Sequence, residues 1–232
     1  MEFSDRQIIV TGGTGALGTA VVGALLERGA TCHVPYIVAA EAERFRHRGH
    51  ERVRLVAARD LAEEAAVEAL YAGVDPLWAS IHIAGGFAMG GIAEIGRAAL
   101  VAQLEMNLVS AFLCCRAAVV AMRKAGGGRI VNVAARPALE PRLGAGMTAY
   151  AASKAAVAAL TEALAQEVAG DGILVNAVAP SIIDTASNRQ AMPKSDHALW
   201  PKPEEVAATI LFLASPANAV TRGAVVPVYG RS

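Results

Sequence analysis

Tyr150 and Lys154, in Tyr150-Ala151-Ala152-Ser153-Lys154, are the residues of this chain best suited to chemistry. On a helix, a spacing of four puts both side chains on one face. An ammonium beside a phenol favours the phenolate and lowers a pKa that is ordinarily about 10. A tyrosine tuned in that way can exchange a proton with a substrate near neutral pH. Far upstream, Thr11-Gly12-Gly13-Thr14-Gly15-Ala16-Leu17-Gly18 contains G-x-G-x-x-G. That pattern carries weight only between a strand and a helix, and here Gln7 to Val10 reads as the strand and Gly18 to Arg28 as the helix. Missing side chains let a backbone approach a pyrophosphate, and a helix N-terminus favours its charge. Gly12, Gly13, Thr14, Gly15, Ala16 and Leu17 are therefore candidate dinucleotide contacts, and the two motifs together point to hydride chemistry.

An acidic residue roughly 20 positions beyond such a turn usually holds the adenosine ribose. Here the end of the second strand is Pro35-Tyr36-Ile37, with Tyr36 as the candidate contact and no acid or base. Without a carboxylate nothing repels a 2′-phosphate, so the expected cofactor is NADP or NAD, with a lean to NADP. Asp60-Leu61, after the third strand, is placed to meet the adenine; Asp60 is equally suited to cap a helix.

The elements that must position these groups alternate. Strands are expected at 7–10, 31–36, 54–57, 78–83, 129–133, 173–178 and 225–228. Helices are expected at 18–28, 39–48, 61–71, 100–123, 150–168 and 203–214, several ended by glycine and one opened by Pro203. Strands separated by helices make parallel βαβ units. The expected fold is α/β: a single-domain, doubly wound, seven-stranded parallel sheet with helices on both faces, whose ligands bind at the carboxyl ends of the strands.

Bulk properties agree. At 232 residues with no linker or composition shift, one domain spans residues 1–232. Lysine and arginine number 21, as do aspartate and glutamate, so nothing in the charge favours nucleic acid or an anionic membrane. The basic run Arg44, Arg46, Arg48, Arg52 and Arg54 reads as a solvated surface. No uninterrupted apolar run of about 20 residues suggests a membrane span. Cys32, Cys114 and Cys115 form no Cys-x-x-Cys, which suits a reducing compartment. A cytoplasmic enzyme without a metal, acting on a small molecule, is the expectation.

In order and spacing, Thr11 to Gly18, Asp60-Leu61, Ala84-Gly85-Gly86, Asn107, the strand 129–133, Tyr150 with Lys154, and Asn176 to Ser181 with Thr185 resemble the short-chain dehydrogenase/reductases. The resemblance implies a Rossmann-fold oxidoreductase. Tyr150 would be the general acid or base. Lys154 would bind the nicotinamide ribose and lower the tyrosine pKa, and Asn107 would hold a proton-relaying water. Ala84, Gly85 and Pro180 would border the cofactor, and Ile183 and Thr185 would contact the nicotinamide carboxamide. It also implies a homodimer or homotetramer through the two long helices, which are apolar on more than one face.

The chain departs from that family at three places. Ala135, in Val133-Ala134-Ala135-Arg136, stands where a serine usually meets the substrate carbonyl. His82-Ile83-Ala84-Gly85 replaces Asn-Asn-Ala-Gly, with His82 read as a packed strand-end residue. Pro180-Ser181 replaces Pro-Gly. In these departures, and in Gly85-Gly86-Phe87 and the segment Asp184 to Pro193, the chain resembles the dihydropteridine reductases within the family. Phe87, Met89, Ala135, Met147, Met192 and Trp200 would then border an apolar substrate pocket. Alternatives are a ketone or 3-oxoacyl reductase, whose acyl carrier would need a basic patch drawn from Arg97, Arg136, Arg142 and Arg189, and a non-catalytic cofactor-binding sensor or scaffold.

Overall fold

Ile8, Ile9 and Val10 are wholly buried, as a strand covered on both faces must be. They lie in β1 (Gln7–Thr11), an interior strand of the sheet in a computed structural model that describes residues 1–232. The other strands are β2 (Thr31–Tyr36), β3 (Val53–Ala57), β4 (Leu77–His82), β5 (Gly128–Val133), β6 (Ile173–Pro180) and β7 (Val225–Val228). All pair in parallel, in the order β3-β2-β1-β4-β5-β6-β7. The chain runs outward through β2 and β3, then returns to lay β4 on the other side of β1. The switch point therefore falls at the carboxyl ends of β1 and β4, where Thr11 stands opposite His82.

Helices cover both faces. On one, α1 (Ala16–Glu27) and α9 (Pro203–Ala214) set Val21, Val22, Leu25, Val206 and Ile210 against the sheet. On the other, α3 (Glu64–Ala72), α5 (Ser110–Ala125) and α7 (Thr148–Glu167) contribute Leu70, Tyr71, Cys115, Met122 and Ala165. Each large aliphatic residue so buried contributes about 1.5–3 kcal/mol. These two cores make the carboxyl edge of the sheet a rigid platform.

The structure differs from the sequence expectation in several elements. Helix α2 (Ala39–Arg44) stops before Arg48 because Phe45 turns extended and sinks into the core. The helix expected from Leu100 begins three residues earlier, as α4 (Arg97–Leu104), and passes through one π turn (Glu105–Val109) into α5. By length and mean hydropathy, residues 97–125 could cross a membrane, which the scan for an unbroken apolar run did not register. In the fold α5 packs against β4, β5 and α3, and α4 packs against α7. Two short helices, α6 (Arg136–Leu139) and α8 (Ala186–Ala191), occupy loops with no helical periodicity.

Candidate active site

The glycine turn is shaped by its own crowding. Gly12 has φ +66°, and a Cβ there would lie 2.6 Å from the Ala84 amide nitrogen, so the loops after β1 and β4 touch through a residue without a side chain. A Cβ on Gly18 would meet the Gly12 carbonyl oxygen at 2.1 Å. The turn thus folds tightly onto the start of α1, with Gly15 and Ala16 open to solvent. Gly15 caps α1 without a side chain, and the amides of Ala16, Leu17 and Gly18 donate to no backbone carbonyl. Unspent donors at a helix N-terminus fit a pyrophosphate. Leu17 itself is buried, so only its amide can serve.

Tyr150, Lys154, Asn107 and Gly85 converge at the carboxyl end of β4. Asn107 lies in the π turn, a device that turns one helical residue out of register. Its Oδ1 accepts from the Gly86 amide at 3.0 Å, and its Nδ2 donates to the Gly86 carbonyl at 3.0 Å and to Ser153 Oγ at 3.1 Å. Ser153 donates in turn to the Tyr150 carbonyl at 2.8 Å. A Cβ on Gly85 would lie 2.5 Å from Asn107 Oδ1 and 3.4 Å from Lys154 Nζ, which brings the three residues into contact distance. Both N–H groups and one lone pair of the Asn107 side chain bind the β4 loop to α7, which leaves one Oδ1 lone pair for the expected water.

Lys154 is buried, and its Nζ donates to the Val133 carbonyl at 2.8 Å. Burial pulls its pKa down to about 8. Burial also pushes Tyr150 up to about 12. In the chain by itself the ammonium serves Val133 and desolvation governs the phenol, so the lowering by lysine expected from the sequence is not expressed without a bound dinucleotide. The Tyr150 hydroxyl makes no hydrogen bond within the chain and is free to meet a substrate.

Other expected residues fall into place unevenly. The Tyr36 carbonyl accepts from Ala58, joining the ends of β2 and β3. Asp60 Oδ1 accepts from the Ala62 amide at 2.9 Å in a turn ahead of α3, whose N-cap position is Glu63, so Asp60 does not cap the helix, and the Leu61 side chain belongs to the core. Pro180 closes β6 opposite Val228, and Ala84 is held by its amide to Thr11 Oγ1 at 3.3 Å. Thr185 caps α8 by accepting from the Asn188 amide, while Asn188 Nδ2 donates to the Ile183 carbonyl at 2.8 Å. Ile183 and Thr185 are therefore fixed in one short loop beside β6.

On the substrate side Phe87 is 58% exposed and meets the Tyr150 ring edge-on, centroids 4.9 Å apart. Met89 is exposed, and a bridge from Gly90 to Met147 holds this segment against the start of α7. Ala135 is buried at the end of β5 and caps α6 in extended conformation, so no hydroxyl stands there. Trp200, expected at the pocket wall, is 7% exposed and packs against His197, whose Nε2 reaches the Met192 carbonyl at 2.9 Å. It braces the segment that carries Met192.

Sequence reading missed two contributors. Ser153 lies inside the motif but reads as helix filler. Glu41 reaches the glycine turn from α2, its Oε2 accepting from Thr14 Oγ1 at 3.3 Å. A carboxylate 23 positions past Gly18 was a signal within the usual range.

Comparison with known proteins agrees with this geometry. The family model described as short chain dehydrogenase matches residues 6–196. A (2S)-[(R)-hydroxy(phenyl)methyl]succinyl-CoA dehydrogenase subunit from Thauera aromatica is 31% identical, over 99% of this chain and 97% of that protein. Galactitol 2-dehydrogenase from Rhizobium johnstonii is 36% identical, over 98% and 95%. A solved short chain dehydrogenase/reductase family protein superposes with a TM-score of 0.91 at 27% identity, covering 99% of this chain and 98% of that one. By the family model, by these relatives and by this superposition, the chain belongs to the short-chain dehydrogenase/reductase family of NAD(P)-dependent oxidoreductases.

Proposed function

We propose that this enzyme transfers hydride between a nicotinamide dinucleotide and a carbonyl or quinonoid small molecule, with Tyr150 as the proton donor. The observation that carries the reading is the convergence of an unpartnered Tyr150 with Lys154, Asn107 and Gly85 beside the glycine turn. The dinucleotide supplies the hydride when bound. The turn from Gly12 to Leu17 receives its pyrophosphate, with the unspent amides of Ala16 and Leu17 as donors, and Ile183 and Thr185 border its carboxamide. Lys154 retains two N–H donors beyond its bond to Val133, enough for ribose hydroxyls. Asn107 and Ser153 hold the α7 face that carries Tyr150. The phenol then gives its proton to the oxygen or nitrogen on which negative charge develops.

Ala135 shapes the substrate class. A serine there would add an oxyanion donor, whose loss costs roughly a hundredfold or more where the reaction needs it. A substrate that accepts hydride without polarisation at that point suits the site, and the exposed Phe87 and Met89 offer it an apolar wall. A second reading, oxidation and reduction of simple secondary alcohols and ketones, is favoured by relatives named for such chemistry, galactitol 2-dehydrogenase and the cyclopentanol dehydrogenase from Comamonas among them. The acyl-carrier alternative has relatives named 3-oxoacyl-[acyl-carrier-protein] reductase on its side, from Pseudomonas aeruginosa and Synechocystis, while two of the four arginines of its basic patch are paired, Arg136 with Glu140 and Arg189 with Asp184. Leu100, Met106, Phe112 and Val120 remain exposed along α4, the π turn and α5. We infer that they pack against a second copy in a dimer or tetramer.

A panel of ketones and quinonoid substrates with NADH and with NADPH, followed at the cofactor absorbance, tests the reading. Turnover on at least one class, lost in Tyr150→Phe, is expected. Dinucleotide binding with no turnover on any of them would point to a sensor or scaffold instead. Sedimentation at micromolar concentration tests the oligomer, and a monomer would refute it.

A further inference from the structure

The end of β2, where an adenosine-recognising acid is expected, carries none, yet a carboxylate stands on the glycine turn all the same. Glu41, in the first turn of α2, accepts a hydrogen bond from Thr14 Oγ1 at 3.3 Å. Thr14 lies between Gly13 and Gly15, within the turn that fits the pyrophosphate. Glu41 is exposed and joins no ion pair, so its charge is unneutralised. The turn itself contains no lysine or arginine. Arg44 on the last turn of α2 and Arg59 after β3 are exposed and lie outside it.

We propose that Glu41 is the specificity-determining residue for the dinucleotide, accepting the adenosine ribose hydroxyls from helix α2 rather than from the strand end and selecting NAD(H) over NADP(H). This rests on the dinucleotide reading of the glycine turn and adds to it which dinucleotide is taken. A carboxylate accepts from both hydroxyls of a ribose diol, and such charge-assisted bonds are the stronger kind. A 2′-phosphate removes one of those donors and brings nearly two negative charges toward Glu41. On a water-facing surface each like-charge pair at about 4 Å costs roughly fivefold in affinity, so the combined preference for NAD(H) exceeds about tenfold. This assignment runs against the lean to NADP drawn from the empty end of β2. Thr14 acts as a positioning residue, holding the carboxylate against the turn.

Equilibrium binding of NADH and NADPH to the full-length protein, followed by nicotinamide fluorescence and needing no substrate, is the test. The wild type is expected to bind NADH more than tenfold tighter, with the gap shrinking as salt is raised. Glu41→Gln should bring the two affinities to within about threefold, mainly by improving NADPH. Glu41→Arg should favour NADPH, and Thr14→Val should give an intermediate ratio. A wild type that prefers NADPH, or a ratio unchanged in Glu41→Gln, overturns the role of Glu41 while leaving the reductase reading intact. If Arg59→Gln removes NADPH binding from an NADPH-preferring wild type, the ribose is read from β3 instead. Binding of neither dinucleotide overturns the reading of the turn itself.

Discussion

Two buried polar clusters flank the carboxyl half of β4, built from similar residues and arranged to opposite ends. In the first, Tyr71 OH lies 2.6 Å from Ser80 Oγ and 3.2 Å from His82 Nε2, and His82 Nδ1 lies 2.8 Å from Asn132 Oδ1. Asn132 Nδ2 donates to Thr161, which donates to the Val157 carbonyl. In the second, Asn107, Ser153 and Lys154 bind Gly86, Tyr150 and Val133 in the same manner, but the Tyr150 hydroxyl is left without a partner in the chain. A tyrosine whose hydroxyl is satisfied inside the core braces two strands and two helices. A tyrosine whose hydroxyl has no partner in the chain, at the edge of the sheet, has a proton to give. What separates structure from chemistry here is the unspent donor, not the residue type.

Exchanging the two tyrosines for phenylalanine is the sharpest way to break that comparison. Tyr150→Phe should lower kcat by about 10²–10⁴ with dinucleotide affinity and melting temperature nearly unchanged. Tyr71→Phe should keep turnover and lose about 1–3 kcal/mol of stability in chemical denaturation, because Ser80 and His82 lose a partner. Near-full activity of Tyr150→Phe would assign the proton to water. Lys154→Ala should weaken both turnover and binding, since the lysine faces both tasks.

Restoring the missing hydroxyl probes the open cluster from its other side. If the substrate has a simple carbonyl, Ala135→Ser should raise ketone turnover, with roughly 2.7–4 kcal/mol as the ceiling for a well-aimed donor. Should quinonoid reduction stay constant while ketone reduction rises, the alanine reflects a substrate that needs no such donor. A fall in quinonoid reduction would mean that Ala135 makes room for the ring.

The closed cluster has its own pH signature. Burial holds His82 down at about 4, against an ordinary value of 6.5. Its folded pKa is the lower one, so between those values the unfolded chain binds the extra proton. The neutral-imidazole stability is therefore fully present above about 6.5 and is lost as pH falls toward 4, up to about 3 kcal/mol in all. Denaturation midpoints measured from pH 7 to pH 4 should show this slope, and His82→Asn, which carries no titrating group, should flatten it. An unchanged slope would assign the acid sensitivity to other groups.

Much of this was legible in the chain. Seven strands separated by helices, the glycine turn and the Tyr150–Lys154 spacing follow from periodicity and from rules that act within a few residues, and the sheet formed as expected. What local pattern left open shares a cause. Helix α2 ends early because Phe45 finds a place in a core assembled from α1, α9 and distant strands. Lys154 turns to Val133, twenty-one positions away, and Asn107 gives its amide to Gly86, also twenty-one away. Glu41 stands on Thr14 because β2 is hydrogen-bonded beside β1 and the short α2 folds back over the turn. Local pattern determined which elements form and which residues could react. Only the packed sheet decided which donors are spent and which remain, because that depends on partners brought together across the fold.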